Sequence, residues 1–264
     1  IYAVKTITEI TPELGIKYAE KLGINTLIDN EIFLPSPADT FNALIELART
    51  PDFFLSILTT LKGIAAGFLI GFVLAVILAV VASLHPFAEA IISLPVKIIK
   101  CIPVASIVIL ALLWFTSARL SIFISAIMVL PVIYTNLLSA ISETDIKLLQ
   151  MAKVFTLTPL KKFTYIYLPS VIPGLTAGVS VAAGFAWKSG IAAEIIGLIK
   201  GSIGNSLYIS KMYLETGKMF AWTATIIIIS IIFEKLLVLI IKSIGKSVGA
   251  TSYEISNSNK KSNN

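Results

Sequence analysis

The chain has 264 residues, 56% of them hydrophobic and 14% charged, with a formal net charge of +6. Soluble domains carry roughly 25% charged residues, so a water-soluble globular protein is excluded, and the long apolar runs mark membrane spans. The positive balance fits Lys-rich cytoplasmic loops rather than nucleic-acid binding. The single cysteine, Cys101, leaves no internal disulfide and reads as a packing residue in an apolar stretch.

Residues 1–54 form an N-terminal polar segment followed by an interfacial helix. Over residues 1–30 the charges Lys5, Glu9, Glu13, Lys17, Glu20 and Lys21 forbid a span, and no signal-peptide core is present. The chain begins at Ile1, so a further hydrophobic helix upstream is an expectation. Leu34-Pro35-Ser36-Pro37 breaks the chain; Ser36 reads as an N-cap, Pro37 as the first helical residue and Asp39 as a first-turn acid. Phe41, Leu44, Ile45 and Ala48 then recur at helical spacing, which predicts a short amphipathic helix over 37–49.

A transmembrane domain over 55–245 follows, with five visible spans. The first is 55–83, where Gly63, Gly67, Gly71, Ala75, Ala79 and Ser83 fall every fourth residue. Small residues at that spacing form a ridge that another helix approaches closely. The stretch 88–115 reads as one broken span, or as an interfacial helix followed by a short span. A third span covers 120–141, with Pro131 as a tolerated kink. The fourth covers 170–192, where Gly174, Gly178, Ala182, Ala186 and Gly190 repeat the ridge. Residues 198–218 read as a polar loop, 219–241 as the last span, and 246–264 as a disordered polar tail. The loop at 142–168 carries Lys147, Lys153, Lys161 and Lys162, and two spans separate it from the basic tail. Both are therefore placed inside, and 198–218 outside.

Catalytic and cofactor chemistry finds no foothold. His85 is the single histidine and there is no acidic cluster, so no metal site is expected. Gly178-Val179-Ser180-Val181-Ala182 lacks the final glycine of a nucleophile elbow and lies within a span. Gly245-Lys246-Ser247 matches the end of a phosphate-binding loop, but Ile240 stands where its first glycine belongs. The chain binds no cofactor of its own and is not an enzyme.

The 142–168 loop is the informative one. Asp145 or Thr144 can cap a helix through Ile146–Phe155, and Thr158 with Pro159 can start a second, giving a helix-turn-helix. Leu148, Leu149, Ala152 and Phe155 form an apolar stripe on the first helix. An apolar stripe outside the membrane suggests a docked protein; packing onto the chain's own helix ends is the other reading. Lys188, late in the fourth span, is a candidate for the substrate path, or else extends to the outer surface beside Trp187. Glu194 is placed at the outer interface, and Glu234 with Lys235 read as anchors or a pair.

Gln150-Met151-Ala152, Thr156 and Ile166-Tyr167-Leu168-Pro169 have the spacing Glu-Ala-Ala, three residues, Gly, nine residues, Ile-x-Leu-Pro. That pattern resembles the EAA loop of permease subunits of binding-protein-dependent ABC importers. Ala152, Ile166, Leu168 and Pro169 match; Gln150, Met151 and Thr156 depart, and a β-branched Thr is costly where glycine allows positive φ. Leu34-Pro35-Ser36-Pro37, Ile102-Pro103-Val104-Ala105, Leu113-Trp114-Phe115, Ala186-Trp187 and Ala193-Glu194 are similar to segments of the nitrate/sulfonate/taurine-type members.

The resemblance implies an all-α polytopic bundle with six spans in the family, in the cell membrane. It implies a second copy of the chain and cytoplasmic ATPase subunits, carrying ATP and Mg, docked at Leu148 to Ala152, Phe155, Thr156, Ile166, Leu168 and Pro169. It also implies an external solute-binding protein, and as cargo a small anion or a vitamin precursor. A secondary transporter or channel is the alternative, with Lys188 and Glu234 as coupling groups.

Overall fold

The computed structural model describes residues 35–262, and among these every regular element is helical. The polar segment expected over 1–30 lies outside the described residues. Ten α-helices follow: α1 (Pro37–Ala48), α2 (Pro51–Leu84), α3 (Pro86–Cys101), α4 (Val104–Ala111), α5 (Ser117–Ser142), α6 (Ile146–Val154), α7 (Pro159–Lys162), α8 (Leu168–Gly197), α9 (Ile203–Met212) and α10 (Thr216–Ser262). Four helical stretches, at 51–84, 119–142, 159–197 and 216–245, are long and apolar enough to cross a membrane. The pair α3 and α4, bent by 99° at a break next to Pro103, is together apolar enough to make a fifth. The first span begins earlier than the apolar run alone implies, because Pro51 opens the helix in an exposed turn.

Local chemistry sets the boundaries. Ser36 accepts from Asp39 N at 3.1 Å while the Asp39 carboxylate accepts from Ser36 N at 3.2 Å, a reciprocal capping box at the start of α1. Leu168 N donates to Phe163 O, and Phe163–Tyr167 forms a π-turn. Pro169, with no N–H to bond Tyr165, follows at once, so the wider turn spares the ladder a broken bond. The second arm of the loop therefore runs without interruption into the fourth span, as one helical stretch over 159–197. The sequence reading had treated them as separate.

Both small-residue ridges pack on α5, from two sides. A Cβ on Gly67 would lie 2.7 Å from Ser125 Cβ, and one on Gly71 would lie 3.0 Å from Val129 Cβ. At Gly63 the nearest atom is Ser121 Oγ, 3.4 Å from the added carbon. Rising numbers meet rising numbers, so α2 and α5 run parallel, as a broken span between them requires. On the other side a Cβ on Gly174 would meet Ala140 Cβ, and one on Gly178 would meet Asn136 Cβ, each at 2.8 Å. There the numbers run oppositely and α8 is antiparallel to α5. Gly190 reaches the crossing point, where its Cβ would stand 2.8 Å from Ser125 Oγ and 2.6 Å from Ile64 Cγ1.

Three expectations need correction. Residues 198–218 are not a plain loop: Ser202 accepts from Asn205 N at 3.1 Å and starts α9. The stretch after 245 continues as helix to Ser262; no proline follows Pro173, so nothing in the sequence interrupts the ladder. Cys101 is exposed rather than packed, at the last residue of α3.

Candidate functional site

The α6 hairpin is built by its caps. Asp145, not Thr144, caps the helix by accepting from Lys147 N at 2.8 Å. Thr144 is buried instead and turns its hydroxyl toward Ala140 O. At the other end Leu157 N donates to Ala152 O at 3.0 Å and Thr156 N donates to Lys153 O at 3.2 Å. This is a Schellman turn, in which the residue after the cap takes positive φ. Thr156 holds that place at φ 48°. The geometry of the family glycine is thus kept by a threonine, at a strain of about 1–2 kcal/mol. Thr158 stands at the N-cap of α7 with Pro159 beside it, but its side chain makes no cap bond.

The hairpin's apolar residues divide between two directions. Ala152 is only 3% exposed and Ile166 is also buried, so both are covered by the chain itself. Leu149 and Leu168 are half-buried, while Gln150 and Pro169 are exposed. Val154 is 79% and Phe155 68% exposed, and Leu148 and Met151 are open beside them. The outward face is therefore Leu148, Met151, Val154 and Phe155, and the buried Ala152 belongs to the inner face.

Lys188 is exposed on α8, while Trp187 beside it is buried and donates from Nε1 to Ile226 O at 3.1 Å. The two side chains diverge, so Trp187 is a core residue tying α8 to α10 and does not accompany Lys188 to a surface. Glu234 accepts from Ser180 Oγ across the same pair of helices. With Lys235 and Lys242 it lines an open cavity of about 580 Å³ against Pro173 and Thr176.

At the end of the bundle opposite α6 lies a group that the sequence reading underrated. Glu194 is 1% exposed. Its Oε2 accepts from Thr60 Oγ1 at 2.9 Å and from Gly204 N at 3.1 Å. Thr60 Oγ1 in turn accepts from Ile203 N at 3.0 Å. Ser56 of α2, Ser121 and Ser125 of α5, Ser189 of α8 and the cap Ser202 are buried as well. The available signal was an acid late in a span followed, after two glycines and a serine, by Ile203 and Leu207 at helical spacing.

Parallel α2 and α5, antiparallel α8, a broken pair between them and a hairpin projecting from one end define a multi-pass helical membrane protein. Residues 57–247 match the model of the family described as binding-protein-dependent transport system inner membrane component, and the chain belongs to that family. Among its relatives is the putative aliphatic sulfonates transport permease protein SsuC of Escherichia coli, 30% identical over 69% of this chain and 70% of that one. A putative ABC transporter permease of Methanocaldococcus jannaschii is 24% identical over 84% and 83%. The nitrate import permease protein NrtB of Synechococcus elongatus is 27% identical over 54% and 51%. In fold, the chain is similar to a chain from the crystal structure of an amino acid ABC transporter with histidines, with a TM-score of 0.62, 18% identity, and coverage of 76% of this chain and 97% of that one.

Proposed function

We propose that this permease works as one of two copies that move a small solute inward, with ATP and Mg handled by separate ATPase subunits docked at α6. The observation that carries this reading is the outward apolar face of Leu148, Met151, Val154 and Phe155 on a helix outside the spans. Such a patch needs a protein partner, and a helix projecting apolar anchors fits a groove on that partner. The four lysines of the loop support a cytoplasmic position for it. An extracytoplasmic binding protein delivers solute at the opposite end, near α9.

A sulfonate, nitrate or similar small anion is the cargo class, supported by what the printed names of two relatives say they carry. The test is co-purification of the ATPase with Met151→Arg and Phe155→Ala variants in a membrane extract. Loss of the ATPase from a variant that still inserts supports docking at α6. Retention at the wild-type ratio in both variants refutes it.

A further inference from the structure

The first three N–H groups of α9 are each met by a side chain, and from three different elements. Ile203 N donates to Thr60 of α2 at 3.0 Å, Gly204 N to Glu194 of α8 at 3.1 Å, and Asn205 N to its own cap Ser202 at 3.1 Å. Helix N-termini leave such donors unpaired and favour a nearby negative charge. Thr60 serves twice, because a hydroxyl both donates and accepts: it donates to Glu194 Oε2 and accepts from Ile203 N. The contact is also tight. A Cβ on Gly204 would come within 2.5 Å of Glu194 Cβ and 3.0 Å of Ile195 N, and Ile203 is fully buried. The approach of α9 is set by a left-handed turn at the end of α8, with Leu198 at φ 49°, its N–H on Glu194 O, and Ile199 N donating to the same oxygen at 3.2 Å.

An ionisable group within a span needs a function or a partner to offset its cost. This one has partners on two other helices and faces neither the α6 hairpin nor Lys188. We propose that Glu194 is the positioning residue of the end opposite α6: it clasps α9 to α2 and α8, and the three elements hold one relative placement throughout the transport cycle. A partner that presses on α9 then moves α2 and α8 directly, with no soft joint between. The proposal rests on the transport reading above for its cycle, but the clasp itself is a property of this chain alone.

The test uses the full chain with its ATPase in lipid nanodiscs, with spin labels at Lys62→Cys and Lys211→Cys in a Cys101→Ser background. Both lysines are exposed, one on α2 and one on α9. Labelled chains are diluted with unlabelled ones so that distances within one protomer dominate. We expect one narrow distance, identical without nucleotide and with ATP plus vanadate. Glu194→Leu should broaden it, and Glu194→Gln, which keeps an acceptor oxygen for Gly204 N, should restore it. A wild-type distance that shifts between nucleotide states overturns the rigid clasp, and so does an unbroadened Leu variant. If the Leu variant does not fold, the comparison of nucleotide states needs no change at 194 and still decides. If no ATPase accompanies the wild type, the transport reading is what fails, and the Leu and Gln distances without nucleotide still decide the clasp.

Discussion

Ser125 of α5 and Gly67 of α2 stand so close that a Cβ added to the glycine would fall 2.7 Å from the serine's own. Ser125 is fully buried and donates to Ala186 O of α8 at 3.2 Å, so one residue touches both ridges. Without a hydrophobic force between helices in lipid, such close approach is what holds spans together. Gly67→Leu should therefore cost several times more than Val73→Leu, whose position is exposed. Overpacking typically costs about 1–3 kcal/mol or more, against about 0.5 kcal/mol for a surface change. Gly178→Leu should likewise exceed Val181→Leu; Val179 is no control, being buried. Thermal stability in detergent measures the difference, and equal loss at all four sites would remove the ridge argument.

At Thr156 the sign reverses. Its φ of 48° is the conformation glycine adopts freely. Thr156→Gly should raise stability by about 1 kcal/mol, offset in part by the greater freedom of glycine when unfolded. The melting temperature of the purified chain reads it. A fall in melting temperature would mean that Thr156 makes a contact worth more than its strain.

Two neighbours on α6 should fail in different ways. Ala152 is buried against the chain, so Ala152→Arg forces an unpaired charge into a closed site and should lower insertion and stability. Phe155 is 68% exposed, so Phe155→Ala should leave stability within about 0.5 kcal/mol while weakening ATPase binding by about 2 kcal/mol or more. Expression level and ATPase co-purification, measured side by side, separate the two. Matching profiles would contradict the division of faces.

Lys188 is exposed and makes no ion pair with the described residues. Lys188→Met should preserve both folding and ATPase docking, and near-wild-type uptake is the expected result. Uptake is measured in vesicles with the binding protein saturated. A sharp fall with Met, partly recovered by Arg, would instead place the amine on the path of an anion.

What the sequence made legible was local. The start of α1 follows from Ser36, Pro37 and Asp39, and the ridges follow from glycine spacing, because caps and periodicity act over a few residues. The break at Pro103 was legible for the same reason. Which face of α6 turns outward was not: a stripe names Ala152 and Phe155 alike, and only the spans beneath decide between them. Glu194 reads as an acid at the outer interface, but its burial and its bond to Thr60 were not legible, because that partner is 134 positions away and nothing near either residue signals the other. The helix α9 was hidden by Gly201 and Gly204, which read as loop punctuation; Gly204 is small because Glu194 occupies the space its side chain would need.

The unbroken helical stretch over 159–197 has 39 residues, which at ~1.5 Å per residue is about 58 Å of rod. It is a lever longer than the bilayer is thick. Tilting it by about 5° about one end swings the other by about 5 Å, so a small rotation at the lysine-rich hairpin would be a large displacement at the far surface. The π-turn at Phe163–Tyr167 interrupts the regular ladder of that rod beside Pro169. Any tilt of the hairpin end has to pass through this wider turn before it reaches the span.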